Sequence, residues 1–512
     1  MQKTIQRCYA FSTKIVVAAM LALTAATVHA QFTGSYQTIT IDGVISNYPG
    51  YDYYVGSQGA AYPRWNDTLI IINGGGLFVT NGATRIGDST ASSNNAVEVT
   101  GVGSFLTNST ALYVGSVGMN NTLTIANGGT AYSKTYGTVG YSGANNMALV
   151  TGTGSVWNAL TFTVGSYGVG NQATISNGGA VVNTGESAIG GTASASNNAV
   201  LVTGPGSVWR STGNITIGTG AGNSGNQLTI ANGGAVYSAG HTMIGAAGTR
   251  SNTGLVTGAG SVLSNTIVYF YGAFGQLTIS NGGTVYAGTT RIGDNTSASN
   301  NAVLVTGAGS VLTNSSILYV GVLGTGGNQL TIADGGAVYN YAVADAGIIG
   351  YGGNSNTVVI SGRGSVWRTT GGLLVNNAGT GSGLIMSNGG VASVSGNVTI
   401  KTTGYITNYV TGIAGGLDMA AGKTLTPTNM AVIFVAEPTE TGPFWGLRWQ
   451  GTNAVATLRG YTNSGALRID FTALPEYWRK KASDPIFYDG ANTYIGFNVT
   501  HIPVKGTIVS VW

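Results

Sequence analysis

Charge is scarce in this chain. Only 7% of its 512 residues are charged, and the 20 Lys and Arg against 16 Asp and Glu leave a formal net charge of +4. A soluble globular domain usually carries roughly a quarter charged residues. A positive balance this small and this dilute argues against nucleic acid or an anionic membrane surface as a partner.

Cysteine and histidine are almost absent as well. The one cysteine, Cys8, precedes an N-terminal apolar run and is removed with it if that run is an export signal. The mature chain would then have no disulfide, no thiolate metal site and no cysteine nucleophile. The two histidines beyond that run, His241 and His501, lie far apart in the sequence, so neither a catalytic triad nor a zinc site is predicted. We expect no cofactor and no metal.

The first 30 residues have the pattern of a cleaved export signal. Lys3, Arg7 and Lys14 form a basic region, Ile15–Thr27 is an apolar run, and small residues follow up to Ala30, after which cleavage is expected. No later stretch reaches 18 uninterrupted apolar residues, so no transmembrane segment is expected in the mature chain. The sequence therefore predicts an extracellular or outer-surface location, in preference to the periplasm.

What the chain has in abundance is glycine, with 85 residues, arranged in an internal repeat. Residues 125–132 read IANGGTAY and residues 150–157 read VTGTGSVW, and variants of these two phrases alternate along the chain. Aligned position by position, they give a unit of about 25 residues with a longer period near 50. Collagen is excluded because glycine does not fall at every third position.

The aligned units share a turn position that holds only Gly, Asn or Asp, the residues that enter the left-handed backbone region at low cost. Aliphatic residues stand two and four places before it, as Leu69 and Ile71 do, which is the alternation of a strand with one buried face. One unit cannot bury its own apolar face, but stacked units can. The turn positions are Asn73, Gly101, Asn127, Gly152, Asn177, Gly204, Asn232, Gly258, Asn281, Gly307, Asp334, Gly362, Asn388 and Gly412.

We therefore predict an all-β chain whose residues 68–430 form a right-handed parallel β-helix (a solenoid) of about fourteen coils. Residues 31–67 are expected to cap its N-terminal end and cover free strand edges. Residues 431–512 hold more charge and tryptophan and are expected to form a small β-rich C-terminal domain that caps or anchors the rod. Within it, residues 454–459 and 466–471 are interpreted as strands.

The repeat phrases resemble those of autotransporter-type bacterial surface proteins. The resemblance rests on VTGPGSVW at residues 202–209, LTIANGGAVY at 228–237 and LYVG at 112–115, and it covers roughly residues 68–415. It implies a β-helical passenger displayed on, or released from, a Gram-negative-type cell, with adhesion or surface coating as its role. Residues 431–512 are too few for the many-stranded membrane barrel that ends such proteins, so we expect a passenger-like protein that lacks the barrel.

An aromatic column five places after the turn is the candidate site. If the preceding valines face inward, strand alternation turns these rings outward, where they could stack on sugars or form lateral protein contacts. The other interpretation, which the Leu and Val residues in the same column favour, is a corner where the rings pack on one another. The candidate ladder consists of Phe78, Tyr132, Trp157, Trp209, Tyr237, Tyr286, Tyr339 and Trp367.

The carboxylates show no catalytic arrangement. A glycosidase needs two carboxyl groups within roughly 10 Å, whereas Asp88 and Asp294, each in the phrase RIGD, lie eight coils apart. Each is expected to pair with the nearby Arg85 or Arg291. The predicted function is a non-enzymatic, adhesin-like surface protein that binds glycans or a host or neighbouring cell surface, or that associates laterally. The alternative is a carbohydrate-binding or carbohydrate-active β-helix that uses the aromatic column.

Overall fold

The computed structural model describes residues 32–56, 64–323 and 326–500. Within them the chain is an all-β solenoid of about sixteen turns with about 3% helix. Each strand lies beside the equivalent strand of the next coil, and in the described ranges every strand pairing is parallel except two near the C-terminal end. The predicted parallel β-helix is confirmed. The predicted export signal at residues 1–30 and His501 lie outside the described residues.

Face one is a single sheet of 17 strands. Fourteen of them end directly before the fourteen predicted turn residues. The first strand and the last two extend the stack beyond the predicted coils, which accounts for the larger number of turns. The strands are Thr38–Asp42, Thr68–Ile72, Ala96–Thr100, Thr122–Ala126, Met147–Thr151, Gln172–Ser176, Ala199–Thr203, Gln227–Ala231, Thr253–Thr257, Gln276–Ser280, Ala302–Thr306, Gln329–Ala333, Thr357–Ser361, Gly383–Ser387, Tyr405–Thr411, Met430–Ala436 and Leu467–Asp470.

Face two follows the turn in each coil. Two of its strands continue without a break onto face three, namely Thr130–Val139 and Val156–Val164. The others are Ile45–Tyr48, Gly76–Val79, Phe105–Asn108, Ala180–Asn183, Val208–Ser211, Ala235–Ser238, Val262–Ser264, Thr284–Ala287, Val311–Asn314, Ala337–Asn340, Val366–Thr369, Val391–Val394, Leu417–Met419 and Gly442–Gln450.

Face three completes each coil with a short strand, mostly of three or four residues. Only its central residue points outward in most coils, because the flanking residues face the core. These strands are Tyr53–Val55, Thr84–Ile86, Leu112–Val114, Ser187–Ile189, Ile215–Ile217, His241–Ile244, Ile267–Tyr269, Thr289–Ile292, Leu318–Val320, Asp345–Ile349, Gly372–Val375, Val398–Ile400 and Leu425–Thr426.

The interior is a continuous apolar stack. On face one, alternate residues such as Leu69 and Ile71 are fully buried, and the parallel register places each directly beside its equivalent in the next coil, as Ile125 lies beside Val150. One cluster of buried side chains extends from Phe32 to Val499. The stack therefore supplies the core that a single 25-residue coil cannot make.

Asparagine serves the turns in two ways. At the end of face-one strands Asn127 and Asn232 both have φ of 51°, a left-handed conformation that asparagine tolerates better than most side chains. At the corner before face one, a buried asparagine recurs in successive coils. Its backbone N–H and its Nδ2 both donate to the Oδ1 of the next asparagine, as Asn146 does to Asn171 at 2.9 and 3.0 Å.

This asparagine ladder is the main polar structure inside the rod. Every member is fully buried, and the hydrogen bonds between members stabilise the fold, since a buried polar group without a partner is costly. The exception is the Nδ2 of Asn252, which has no partner at the break in the ladder. The repeat alignment had not identified it. Its members are Asn95, Asn121, Asn146, Asn171, Asn198, Asn226 and Asn252, followed after a break at Gly275 by Asn301, Asn328 and Asn356.

The two ends differ in part from the predicted cap and domain. The segment 31–67 contributes, in its described part, a complete coil whose three strands pair in parallel with the next. At the other end the stack continues across residue 430, because Met430–Ala436 and Leu467–Asp470 extend face one. Residues 431–500 share the core of the rod.

The C-terminal closure is made by four elements outside the repeat, two helices and two strands. Two short helices, α1 (Val455–Asn463) and α2 (Glu476–Lys481), lie at the end, and the strand Asn492–Val499 pairs antiparallel with Gly442–Gln450 and with Ile486–Tyr488. The interpretation of residues 454–459 as a strand is therefore wrong. Leu458 of α1 and Trp478 of α2 are buried at this end. On face two the parallel stack therefore ends at Gly442–Gln450, whose outer edge is paired with an antiparallel strand.

Candidate functional site

The two repeat phrases differ by one residue in the turn that leads to face two. In the register, Ala131 lies beside Trp157 and Tyr132 beside Asn158, so the Gly-x-Gly-Ser turn holds one more residue than the Asn-Gly-Gly turn. A shift of one residue along a strand moves every side chain to the opposite face. The prediction that the two phrases superpose at every position is wrong beyond the turn.

Three of the eight candidate ladder residues are therefore in the core. Trp157, Trp209 and Trp367 are at most 1% exposed. Their indole N–H groups donate to buried side chains of the preceding coil, as Trp209 does to the Oδ1 of Asn183 at 2.9 Å. The prediction of an outward ladder is wrong for these three tryptophans, because their coils have the longer turn.

The other five candidates lie in one column on the outside of face two. Phe78, Tyr132, Tyr237 and Tyr286 are between 36% and 49% exposed, and Tyr339 is half-buried. They occupy alternate coils except where Val182 interrupts, so neighbouring rings stand roughly 10 Å apart along the rod, two strand spacings. We call these five residues the tyrosine stripe. Its role in binding stays a prediction.

Face three carries a second arrangement that the sequence analysis did not predict. The central residues of the face-three strands form one outward column. From the N-terminal end this column begins with bulky side chains, continues with small ones and then has bulky ones again. The register gives the order Arg85, Tyr113, Thr138, Thr163, Ala188, Thr216, Met243, Tyr269, Arg291 and Tyr319.

We call the low stretch between Tyr113 and Met243 the trough. Its floor consists of Thr138, Thr163, Ala188 and Thr216, one from each of four successive coils. From Tyr113 to Met243 there are five strand spacings, about 24 Å. The depression has a volume of about 450 Å³. Between Arg85 and Tyr319 no other run of four small residues occurs in this column.

The walls of the trough are aromatic and hydroxyl-bearing. On one side Tyr141 contacts Tyr113 edge to face at 5.4 Å between ring centroids, and Tyr167 of the next coil contacts Tyr141 in the same way. On the other side stand Tyr136, which is 52% exposed, and the carboxylate of Glu186. Edge-to-face contacts hold such rings in place and leave one face of a ring free.

A charged cluster adjoins the Tyr113 end of the trough. Arg85 contacts Asp52 at 2.6 Å and Asp88 at 3.5 Å, and its guanidinium lies 4.8 Å from the ring centre of Tyr113. Burial raises the pKa of the Asp88 carboxyl, while a hydrogen bond from Ser116 and the charge of Arg85 oppose the rise. The expected Asp88–Arg85 pair is confirmed. Asp52 was missed because its segment was interpreted as a cap.

A similar but smaller cluster lies beyond the other end. Arg291 contacts Asp294 at 3.3 Å, as predicted, and lies 5.6 Å from the ring centre of Tyr319. Next to it, His241 packs on Tyr269 at 4.7 Å, and burial lowers the pKa of that histidine although Glu186 acts in the opposite direction. Among the described residues, no group of three or more His, Cys, Asp or Glu side chains could hold a metal ion.

Comparison with solved structures finds matches at low identity. A crystal structure titled as the TibC-catalysed hyper-glycosylated TibA55-350 fragment aligns with 76% of this chain and 96% of its own, at 14% identity and a TM-score of 0.33. At that score the similarity supports no conclusion about this chain. No protein-family model matches the sequence, and no curated protein matches it. Within the described ranges, no helix is long and apolar enough to cross a membrane.

Proposed function

We propose that this chain is an exported, non-catalytic surface rod of the adhesin-like type, which binds through the outer faces of its coils. The observation that carries the proposal is the tyrosine stripe. Tyr237 and Tyr286, at 36% and 49% exposure, stand in register on a rigid sheet. Exposed aromatic residues in a regular row are typical of binding surfaces.

The arrangement of the charged groups supports a non-catalytic role. Asp52 and Asp88 both contact Arg85. Asp294 likewise contacts Arg291. A guanidinium that contacts both carboxylates is typical of a structural ion-pair network, which can perturb a carboxyl pKa without any catalytic role.

Export and surface exposure are tested by expressing the full chain in a Gram-negative-type host. We expect the mature protein to begin after Ala30 and to be removed from intact cells by added protease, or to be found in the medium. Retention of residues 1–30 together with resistance to protease on intact cells would contradict the proposal. A cytoplasmic reporter protein controls for lysis.

A second candidate function is carbohydrate binding or processing through the tyrosine stripe. The observation that favours it is the spacing of the stripe, roughly 10 Å, which is about the length of a disaccharide. The double variant Tyr237→Ala with Tyr286→Ala should reduce binding on a glycan array. Tyr409→Ala is the matched control, because Tyr409 is also exposed, at 39%, but lies on face one.

The same variants separate the remaining alternatives. Lateral self-association through the stripe predicts that the double variant shifts the protein to a smaller species in sedimentation velocity without changing glycan binding. Cleavage of a glycosidic bond that is lost in Asp88→Asn would show an enzyme and overturn the non-catalytic proposal.

A further inference from the structure

We propose that the trough on face three is a binding site for a neutral, linear oligosaccharide of about four sugar rings. The sugar rings would stack on the tyrosines of the walls, and their hydroxyl groups would hydrogen-bond to the threonines of the floor and to Glu186. The site is distinct from the tyrosine stripe, which lies on face two. It is a consequence of the register, since four successive coils place small residues in one outward column.

The dimensions of the trough fit an extended chain. The floor advances by one strand spacing, roughly 4.8 Å, per coil, and an extended chain of pyranose rings advances by a similar length per sugar. Four floor residues therefore offer one position to each of about four rings. Beyond the floor the column continues with the bulkier side chains of Tyr113 at one end and Met243 at the other. A floor of this length fits a short segment.

The residues that line the trough can contact both the faces and the edges of a sugar ring. The C–H faces of a pyranose ring are apolar and carry slight positive charge, so they contact the negative face of an aromatic ring favourably. Its edges carry hydroxyl groups, which need donors and acceptors. Thr163 and Thr216 supply both from the floor, and Glu186 supplies an acceptor from one wall.

A peptide is a poorer fit to the same surface. An extended peptide binds a sheet by adding a strand at a free edge. The floor strand Ser187–Ile189 is paired in parallel on both sides, with Val156–Val164 and with Ile215–Ile217. No backbone donors or acceptors are therefore free on the floor for an added strand.

Anionic polymers are disfavoured by charge. Glu186 is the only charged residue in the lining of the trough, so the site has no cation to bind a phosphate or an acidic sugar. The nearest arginine on the central column, Arg85, contacts Asp52 and Asp88. A neutral ligand meets no such penalty.

This proposal names a ligand class for the adhesin-like rod and in that sense rests on the proposed function. The experiment nevertheless separates the two. Binding by the purified chain tests the trough alone, whereas the location of the protein on cells tests the proposed function alone. Either can fail while the other holds.

The test is calorimetric titration of the purified full chain with cellotetraose, chitotetraose, xylotetraose and maltotetraose, and with tetragalacturonate as the acidic probe. We expect the protein to bind at least one neutral probe with a Kd below about 1 mM. We expect no binding of tetragalacturonate. Ala188→Trp should abolish that binding because its ring fills the middle of the floor. Thr399→Trp is the matched control, since Thr399 stands in the same outward column three coils beyond Tyr319.

A second variant keeps the test decisive if Ala188→Trp fails to fold. Tyr141→Ala removes a wall ring and should weaken binding about three- to tenfold. Tyr351→Ala controls for it, because Tyr351 follows Gly350 as Tyr141 follows Gly140 and contacts Tyr319 in the same edge-to-face manner. Absence of binding to every neutral probe, or binding that both trough variants leave unchanged, overturns the proposal. Preferential binding of tetragalacturonate overturns it as well.

Discussion

Asp67 stands where the asparagine ladder should begin, and replacing it with asparagine should stabilise the N-terminal coil. Its backbone N–H donates to the Oδ1 of Asn95 at 3.0 Å, as every ladder asparagine does to the next. Its Oδ1 accepts from the backbone N–H of Gln37 at 2.9 Å. Its Oδ2, fully buried, takes the place of the ladder Nδ2 and has no hydrogen-bond partner.

The magnitude follows from that missing hydrogen bond. In Asp67→Asn an amide Nδ2 can donate to the Oδ1 of Asn95, which a carboxylate cannot do. A buried polar atom without a partner costs about 1–3 kcal/mol, so we expect the variant to gain about that much local stability at neutral pH. Arg64 is the charged group near Asp67, and its charge offsets part of the penalty in the wild type.

The gain should depend on pH. Burial raises the pKa of the Asp67 carboxyl. Because the folded state raises this pKa, the protonated form of the carboxyl favours folding. This contribution to stability is fully present below the ordinary pKa of about 3.9 and is lost as the pH rises through the folded-state pKa. At low pH the protonated Oδ2 can itself donate to Asn95, so the wild type and Asp67→Asn should then differ little. The difference should grow above pH 4.

Hydrogen exchange measured by mass spectrometry on the full chain is the assay, because a long repeat array need not unfold in one step. The readout is protection of the strands Thr38–Asp42 and Thr68–Ile72, compared between variant and wild type at the same pH. Asp42→Asn is the control, since it removes an exposed carboxylate from the same coil without touching the ladder. Equal protection of Asp67→Asn and wild type at pH 7 would refute the reasoning.

Three further predictions concern the interior and the turns. Asn171→Ala deprives the two N–H groups of Asn146 of their acceptor and should cost at least about 3 kcal/mol of local stability, seen as lost exchange protection in the neighbouring coils. Trp209→Ala should lower stability by about 3–5 kcal/mol, whereas Tyr237→Ala should lower it by less than about 1 kcal/mol. Thermal unfolding measures both losses, and a larger loss for Tyr237→Ala would mean that the tryptophan faces outward. Asn232→Val should cost about 1–2 kcal/mol at its φ of 51°, whereas Asn232→Gly should melt close to the wild type.

The coils were predictable because their signal repeats. Alternating apolar residues ending at Asn, Asp or Gly mark the same strand in every unit, and all fourteen of those strands are present. The end of the chain has no such repetition. Residues 454–459 alternate like a strand, but Ala454 is the N-cap of α1 and the others lie within that helix, with Leu458 buried.

The orientation of the aromatic column was mispredicted because both phrases were placed in one alignment. Treated separately, the Gly-x-Gly coils hold Leu106, Trp157 and Leu263 at this position, all buried. The Asn-Gly-Gly coils hold Tyr132 and its equivalents, which are mainly exposed. In the Gly-x-Gly coils this position holds tryptophan or leucine and never tyrosine. That pattern indicates that these rings belong to the core.

The trough could not be predicted from the repeat, and the reason is physical. A solenoid gives every coil nearly the same backbone, so the backbone alone distinguishes no site. A site arises where the outward residues of several successive coils differ from those of the other coils. On face three these residues are about 25 positions apart in the sequence. Thr163 and Ala188 have meaning as a floor only once the register places them side by side. In such a fold the core is encoded within each unit, whereas a binding site is encoded across units, which is why the columns of face three are where substitutions should separate binding from stability.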